Sequence, residues 1–142
     1  MSKNVLIVED ESVHAEWEGN EVKDLSRLLN EEVDVTNVDS LEDVQGLAKG
    51  EFSFDCAVVD ILIFEKSSIN RKRGDTPYFS FGFAALDELL KKLPSSSILV
   101  FTQFPIPEVS KELLGRGLDS RLLVKPAHFE EFTSRVRKML SR

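Results

Sequence analysis

A chain of 142 residues with 42% hydrophobic and 30% charged side chains has the size and balance of one soluble globular domain. Its formal net charge of -7 argues against a general nucleic-acid binder, which needs a basic face. No stretch approaches the run of about 18 apolar residues that a membrane span needs, Met1-Ser2-Lys3 leads straight into a strand instead of a signal peptide, and a lone cysteine excludes an internal disulfide, so a cytoplasmic location is expected.

In chain order, Asn4-Val5-Leu6-Ile7-Val8 is a continuous apolar run, read as a strand buried on both faces, and it ends at Glu9-Asp10-Glu11. Through residues 12 to 31, Val13, Trp17, Leu25, Leu28 and Leu29 recur at helical spacing, with Gly19-Asn20 as a weak point. Residues Val33 to Val38 alternate like an edge strand. Ser40 can cap a short helix reaching Lys49, which Gly50 ends. A second apolar run, Cys56 to Val59, stops at Asp60, which makes Cys56 a packing residue. An irregular stretch precedes a helix expected from Gly82 to Leu93, stopped by Pro94. Ile98 to Phe101 reads as a strand closed by Thr102, and Pro107 starts a helix through Leu114. Gly115 to Gly117 turn the chain into the strand Leu122 to Val124, closed by Lys125-Pro126, and Phe129, Phe132, Val136, Met139 and Leu140 mark the inner stripe of a last helix. His14 and His128 read as exposed helix-end residues and Trp17 as packing. Strands alternating with helices imply right-handed crossovers and an α/β doubly wound parallel sheet with helices on both faces.

Glu9, Asp10, Asp60, Thr102 and Lys125 all follow directly on strands, and open parallel sheets bind ligands at those carboxyl ends. Carboxylates crowded there repel by about 4 kcal/mol per close pair at an effective dielectric near 20. Such a cluster asks for a cation, and Mg²⁺ is the hard, oxygen-seeking ion that bridges carboxylate to phosphate. Asp60, alone at its strand tip, could then act as a nucleophile toward a phosphoryl group and form an acyl phosphate. Lys125, as a point charge, and the Thr102 hydroxyl would pair with the phosphoryl oxygens. The plainer reading of Glu9 to Glu11 is a set of first-turn acids favoured by a helix dipole.

Together, Val5-Leu6-Ile7-Val8-Glu9-Asp10-Glu11, Val58-Val59-Asp60-Ile61, Val100-Phe101-Thr102 and Val124-Lys125-Pro126 resemble the receiver domain of two-component response regulators, in order and over nearly the whole chain. The resemblance implies a flavodoxin-like five-stranded sheet of order 2-1-3-4-5. It also implies phosphoryl transfer to Asp60 from a histidine kinase or histidine phosphotransfer protein, with Mg²⁺ or Mn²⁺ held by Glu9, Asp10, Asp60 and the backbone carbonyl of Leu62. Thr102 and Lys125 would sense the group and relay its presence to a downstream protein. Such a domain phosphorylates itself from its donor and slowly loses the group, so it is not a turnover enzyme. The expected organisation is one receiver over residues 1–142 with no output module. It would signal by protein contact, which allows a phosphorylation-dependent dimer, and would touch neither nucleic acid nor membrane.

The chain departs from the family pattern in three places. Asp60-Ile61-Leu62-Ile63 lacks the proline usual after the phosphoacceptor, and the nearest match for the glycine opening the third helix is Gly82, far downstream. An insertion is therefore expected at residues 64–81, carrying Lys66, Arg71, Lys72 and Arg73 against Glu65 and Asp75, then Tyr78, Phe79, Phe81 and Phe83. It reads either as a lid or docking element for an acidic partner, or as a solvated, mobile loop. Leu122 stands where many receivers have a switching Tyr or Phe, and bulky Gln103, followed by Phe104 and two prolines, stands where a small residue is usual. Two rival functions remain: a phosphorylation-independent pseudo-receiver that binds a partner constitutively, and a phosphatase with an aspartyl-phosphate intermediate. The phosphatase is disfavoured because Leu62 stands where its second acid is needed.

Overall fold

The structure, a computed structural model, describes residues 2–29, 31–103 and 107–141, without the side chains at 12, 13, 27 and 28. Five parallel strands alternate with five helices: β1 (Ser2–Val8), α1 (Ser12–Leu29), β2 (Glu32–Val38), α2 (Leu41–Lys49), β3 (Cys56–Val59), α3 (Phe79–Leu90), β4 (Ile98–Thr102), α4 (Pro107–Gly115), β5 (Leu122–Val124) and α5 (Phe129–Leu140). The sheet order is β2-β1-β3-β4-β5, the doubly wound order expected.

The two-residue period of a strand sorts the apolar runs into two cores. Val5, Ile7, Cys56, Val58, Leu99 and Phe101 face α1 and α5, packing with Val22, Leu25, Phe132 and Val136. Leu6, Val8, Ala57, Val59, Ile98 and Val100 face the other way, onto Val44, Leu86, Leu89 and Leu113. Each fully buried Val, Leu or Ile stabilises the fold by about 1.5–3 kcal/mol. A register slip of one residue would exchange the two faces, and since both are apolar the ends of the strands must fix the register.

Those ends are aligned. Val8 pairs with Val59, Val59 with Val100, and Thr102 with Val124. The first residue beyond three of the strands makes one further ladder bond: Glu9 N–H to the Val38 carbonyl (2.9 Å), Asp60 N–H to Val8 (2.8 Å) and Lys125 N–H to Thr102 (2.8 Å). The side chains of chemical interest are therefore carried on pinned backbone along one edge of the sheet.

Several local expectations shift. The α1 helix runs unbroken through Gly19-Asn20. The cap on α2 is as expected, with Asp43 N–H donating to Ser40 Oγ at 3.1 Å, but Gly50 ends the helix in extended backbone with φ -91, not in a left-handed turn. The α3 helix begins three residues before Gly82 and stops at Leu90. Gly82 marks a contact instead of a start, because a Cβ there would lie 1.9 Å from the Ile61 carbonyl oxygen. Phe129, expected on the inner stripe of α5, is 49% exposed and stacks on His128, whereas Phe132, Val136, Met139 and Leu140 are buried. Val13 and Leu28 of the expected α1 stripe, and Phe104, Pro105 and Ile106, lie outside what the structure describes.

Candidate functional site

The edge of the sheet brings Glu9, Asp10, Asp60, Thr102 and Lys125 into one site. Glu9, Asp60, Thr102 and Lys125 are buried, and Asp10 is half-buried. Lys125 sits among the acids: its Nζ donates to Glu9 Oε2 and, at 3.1 Å, to Asp60 Oδ2. It also lies 5.1 Å above the Phe101 ring. The ammonium group is drawn to the acids from both sides, so although burial works against its charge, Asp60, Glu18 and Glu9 together raise its pKa.

One lysine does not neutralise this many carboxyls. Ligand atoms of Glu9, Asp10 and Asp60 lie within 4.8 Å of one another. Burial, then the charges of Glu9 and Asp60, push Asp10 up to about 7. Burial and Asp60 also raise Glu9, against the pull of Lys125. Three hard oxygen donors with surplus negative charge fit a small divalent cation better than they fit one another. Asp60 is fixed from its own loop, the Leu62 N–H donating to Asp60 Oδ1 at 3.0 Å. Thr102 Oγ1 is buried with no partner among the described residues. A buried hydroxyl left unpaired costs about 1–3 kcal/mol, which a ligand oxygen arriving there would recover.

Two further residues belong to the site. Glu18, on α1, is only 1% exposed; its Oε2 lies 4.0 Å from Lys125 Nζ, and neither carboxyl oxygen has a donor. Burial, then the Glu9 carboxylate, push its pKa to about 9. His14, expected as an exposed helix-end residue, is instead half-buried with Nδ1 3.5 Å from Lys125 Nζ and 3.4 Å from Glu11 Oε2. The signal was present in the helix phase. Glu18, Val22 and Leu25 share the inward face of α1, and His14 is one turn before Glu18. Taking Trp17 as the marker of that face hid them; Trp17 is 37% exposed, resting against Phe132 (5.3 Å between ring centres) and Phe101 (6.4 Å). A cleft of about 510 Å³ opens there, lined by His14, Trp17, Glu18, Gln103 and Lys125 among others. His128 is an exposed cap on α5, its ring accepting from Glu130 N–H at 3.4 Å.

Residues 64–78, between Asp60 and α3, form an ordered strap. Its root completes the first turn of α2: Leu41 N–H and Glu42 N–H, which no helix carbonyl can reach, donate to Phe64 and Glu65 at 2.9 Å each. Tyr78 N–H returns to the Ile63 carbonyl at 2.9 Å. Glu42 accepts from Asn70 Nδ2 (2.6 Å), Ser67 Oγ (2.7 Å) and Ser67 N–H (3.1 Å), and these donors, Asn70 foremost, hold its carboxyl down at about 2. The Arg71 guanidinium lies 3.7 Å over the Phe64 ring, with Nη2 2.6 Å from Asp39 Oδ1 at an angle too oblique for a hydrogen bond. No hydrogen bond or ion pair from the strap reaches Glu9, Asp10, Asp60, Thr102 or Lys125 among the described residues. It is bound to the β2–α2 junction by the contacts above and is not a free loop.

No protein-family model matches the sequence, and no curated protein matches it significantly. Solved structures do match in shape. A response regulator receiver protein from Sinorhizobium medicae WSM419 superposes with TM-score 0.69 at 16% identity, covering 99% of this chain and 95% of that one. A response regulator receiver protein from Pseudomonas putida gives 0.68 at 16%, covering 97% and 98%. The signal receiver domain of an HD domain-containing protein from Pseudomonas fluorescens Pf-5 gives 0.67 at 16%, covering 99% and 96%. No described helix is long and apolar enough to cross a membrane. With its sheet order and these likenesses, the chain has the fold of a response regulator receiver domain.

Proposed function

We propose that this chain is a phosphoacceptor signalling protein that takes a phosphoryl group on Asp60 from a histidine kinase or histidine phosphotransfer protein. The observation that carries this reading is the pairing of a buried, unpartnered Thr102 hydroxyl with an Asp60 carboxylate held by Lys125 beside surplus acids. Glu9, Asp10, Asp60 and the Leu62 carbonyl are the groups that would hold Mg²⁺ or Mn²⁺, which supplies charge neutralisation between carboxylates and phosphoryl oxygens.

The chain's own residues supply the rest. Asp60 Oδ1 is fixed by Leu62 N–H, leaving Oδ2, on the Lys125 side, as the nucleophilic oxygen. Attack forms an O–P bond to Oδ2 while the bond from phosphorus to the donor histidine nitrogen breaks, leaving that imidazole to take up a proton. Lys125 then balances the charge of the phosphoryl oxygens, and the Thr102 hydroxyl gains an acceptor. On this reading the acyl phosphate is lost slowly, and the chain signals by protein contact instead of turning over a substrate. Leu122 is half-buried and cannot act as a rotating aromatic switch.

Titrating Mg²⁺ and then beryllofluoride, a phosphoryl mimic, tests the reading through Trp17 fluorescence and amide shifts at Asp10 and Thr102. Saturable shifts that vanish in Asp60→Asn are expected. A folded protein that does not respond is instead a phosphorylation-independent interaction module.

A further inference from the structure

We propose that the outward face of the strap is a docking surface for an acidic segment of a partner protein that also carries an apolar side chain. Ser67, Asn70 and Arg71 all point inward and are committed to Glu42 and Asp39, so the strap is held in shape by its own chain. What remains outside is different in kind. Lys66, Lys72 and Arg73 are exposed and make no ion pair among the described residues, although the chain as a whole carries -7. A cationic patch on an acidic body selects for acidic partners by steering the correct face and repelling the rest. Between the cations stands Ile69, 90% exposed, with Tyr78 at 58%. A hollow of about 440 Å³ opens beside Tyr78, lined by Phe64, Tyr78 and Phe81 together with Lys66 and Lys72. Glu65 and Asp75 share that lining, Asp75 accepting from the Lys72 N–H at 2.8 Å, so with Arg73 the outward face sets three cations against two carboxylates on a body that carries -7. Apolar walls with cations beside them match an aromatic or aliphatic side chain flanked by carboxylates. The surface is independent of phosphoryl chemistry, since none of these groups touches Asp60.

The test uses the full chain and a fluorescent random copolymer of glutamate and tyrosine, read by anisotropy, with polyglutamate, polylysine and single-stranded oligothymidylate as comparators. Saturable copolymer binding is expected, tighter than any comparator and with amide shifts confined to residues 64–78 and the first turn of α2. Lys66→Glu/Lys72→Glu/Arg73→Glu should weaken it by at least about tenfold, which is 1.4 kcal/mol, and Ile69→Ser by a smaller factor. All four positions are exposed, so the anchors and the fold stay intact in these variants. Equal binding by the charge-reversed variant, equal binding of polyglutamate, or tighter binding of oligothymidylate or polylysine would overturn the proposal. Asp60→Asn should bind the copolymer like wild type while losing its beryllofluoride response, which keeps failure of this surface distinct from failure of the phosphoacceptor reading.

Discussion

The chain carries two groups of carboxyls that live under opposite conditions. At the sheet edge, buried Glu9 and Glu18 and half-buried Asp10 crowd around Lys125, and each is pushed upward. At the β2–α2 junction, Glu42 stands at the surface with three donors aimed at it and is pulled down. The same chemical group is unsatisfied in one place and saturated in the other. The difference separates carboxyls left short of donors from one that its donors hold in place. A carboxyl that has found its donors has no further need of a cation, while acids that have not are the mark of a site.

The joint between the two regions should give the largest effect. Gly82 holds α3 against Ile61, and because the obstructing atoms are backbone, nothing flexible can yield to a methyl group. Gly82→Ala should destabilise the fold by about 3 kcal/mol, at the upper end for overpacking, measured by urea unfolding. Gly46→Ala is the control: within α2 a Cβ there meets nothing inside 4 Å. It should be neutral or stabilise by up to about 1 kcal/mol. Equal effects of the two changes would mean that the strap and the site are not tightly joined through Ile61.

Next in size is the pH dependence, where the two regions should give opposite slopes. Asp10 and Glu18 titrate higher folded, at about 7 and about 9, than their ordinary values of 3.8 and 4.5. The folded state therefore binds more protons than the unfolded one across that window. The stability they contribute is full below about pH 4 and is lost as pH rises through 7 and then 9. Glu42 runs the other way: its contribution is present above 4.5 and is lost as pH falls through about 2. Thermal melts of the metal-free protein from pH 5 to pH 9 should show Tm falling steadily. Mg²⁺ should restore Tm at the alkaline end, because it binds the ionised form of Asp10. Glu18→Gln should flatten the upper limb and leave the Mg²⁺ effect in place. A Tm that rises over this range would show that the buried acids are better compensated than their surroundings indicate.

How much of this was legible in the sequence follows from the range of the forces involved. The strands are written in short apolar runs, since a strand buried on both faces can use little else, and the acids, threonine and lysine were found because each follows such a run; the order of the strands in the sheet came only with the family resemblance those motifs carry. Glu18 and His14 were missed because their role depends on the phase of a helix with polar residues on several faces. A shift of one position, from Glu18 to Trp17, exchanges inside for outside. The strap was harder still. Its composition marked it as unusual, but the pairing of Glu42 with Ser67 and Asn70 crosses 25 and 28 positions, and nothing local announces it. Gly82 was noticed for the wrong reason: it was taken as the start of a helix, whereas its lack of a side chain serves a contact with Ile61.

The smallest effect tests whether the strap is architecture at all. Arg71 is held three ways, by Asp39, by the Phe64 ring and by its Nε–H donating to the Lys66 carbonyl at 2.9 Å, and its side chain is about one-fifth exposed, at 21%. A partly exposed ion pair contributes up to about 1 kcal/mol and a cation over a ring about 0.5–1. Arg71→Ala should therefore cost about 1 kcal/mol globally. Its local signature is sharper. The Leu41 and Glu42 amides are held by strap carbonyls and by no helix bond, so their hydrogen exchange should quicken by about tenfold, the equivalent of 1.4 kcal/mol, while the Val44 amide, bonded to the Ser40 carbonyl at 3.2 Å, changes little. Salt should shrink the difference, because the Asp39 ion pair is screened. If Leu41 and Glu42 exchange at wild-type rates in Arg71→Ala, the strap is held by its backbone and Glu42 alone, and Arg71 serves the surface instead of the clasp.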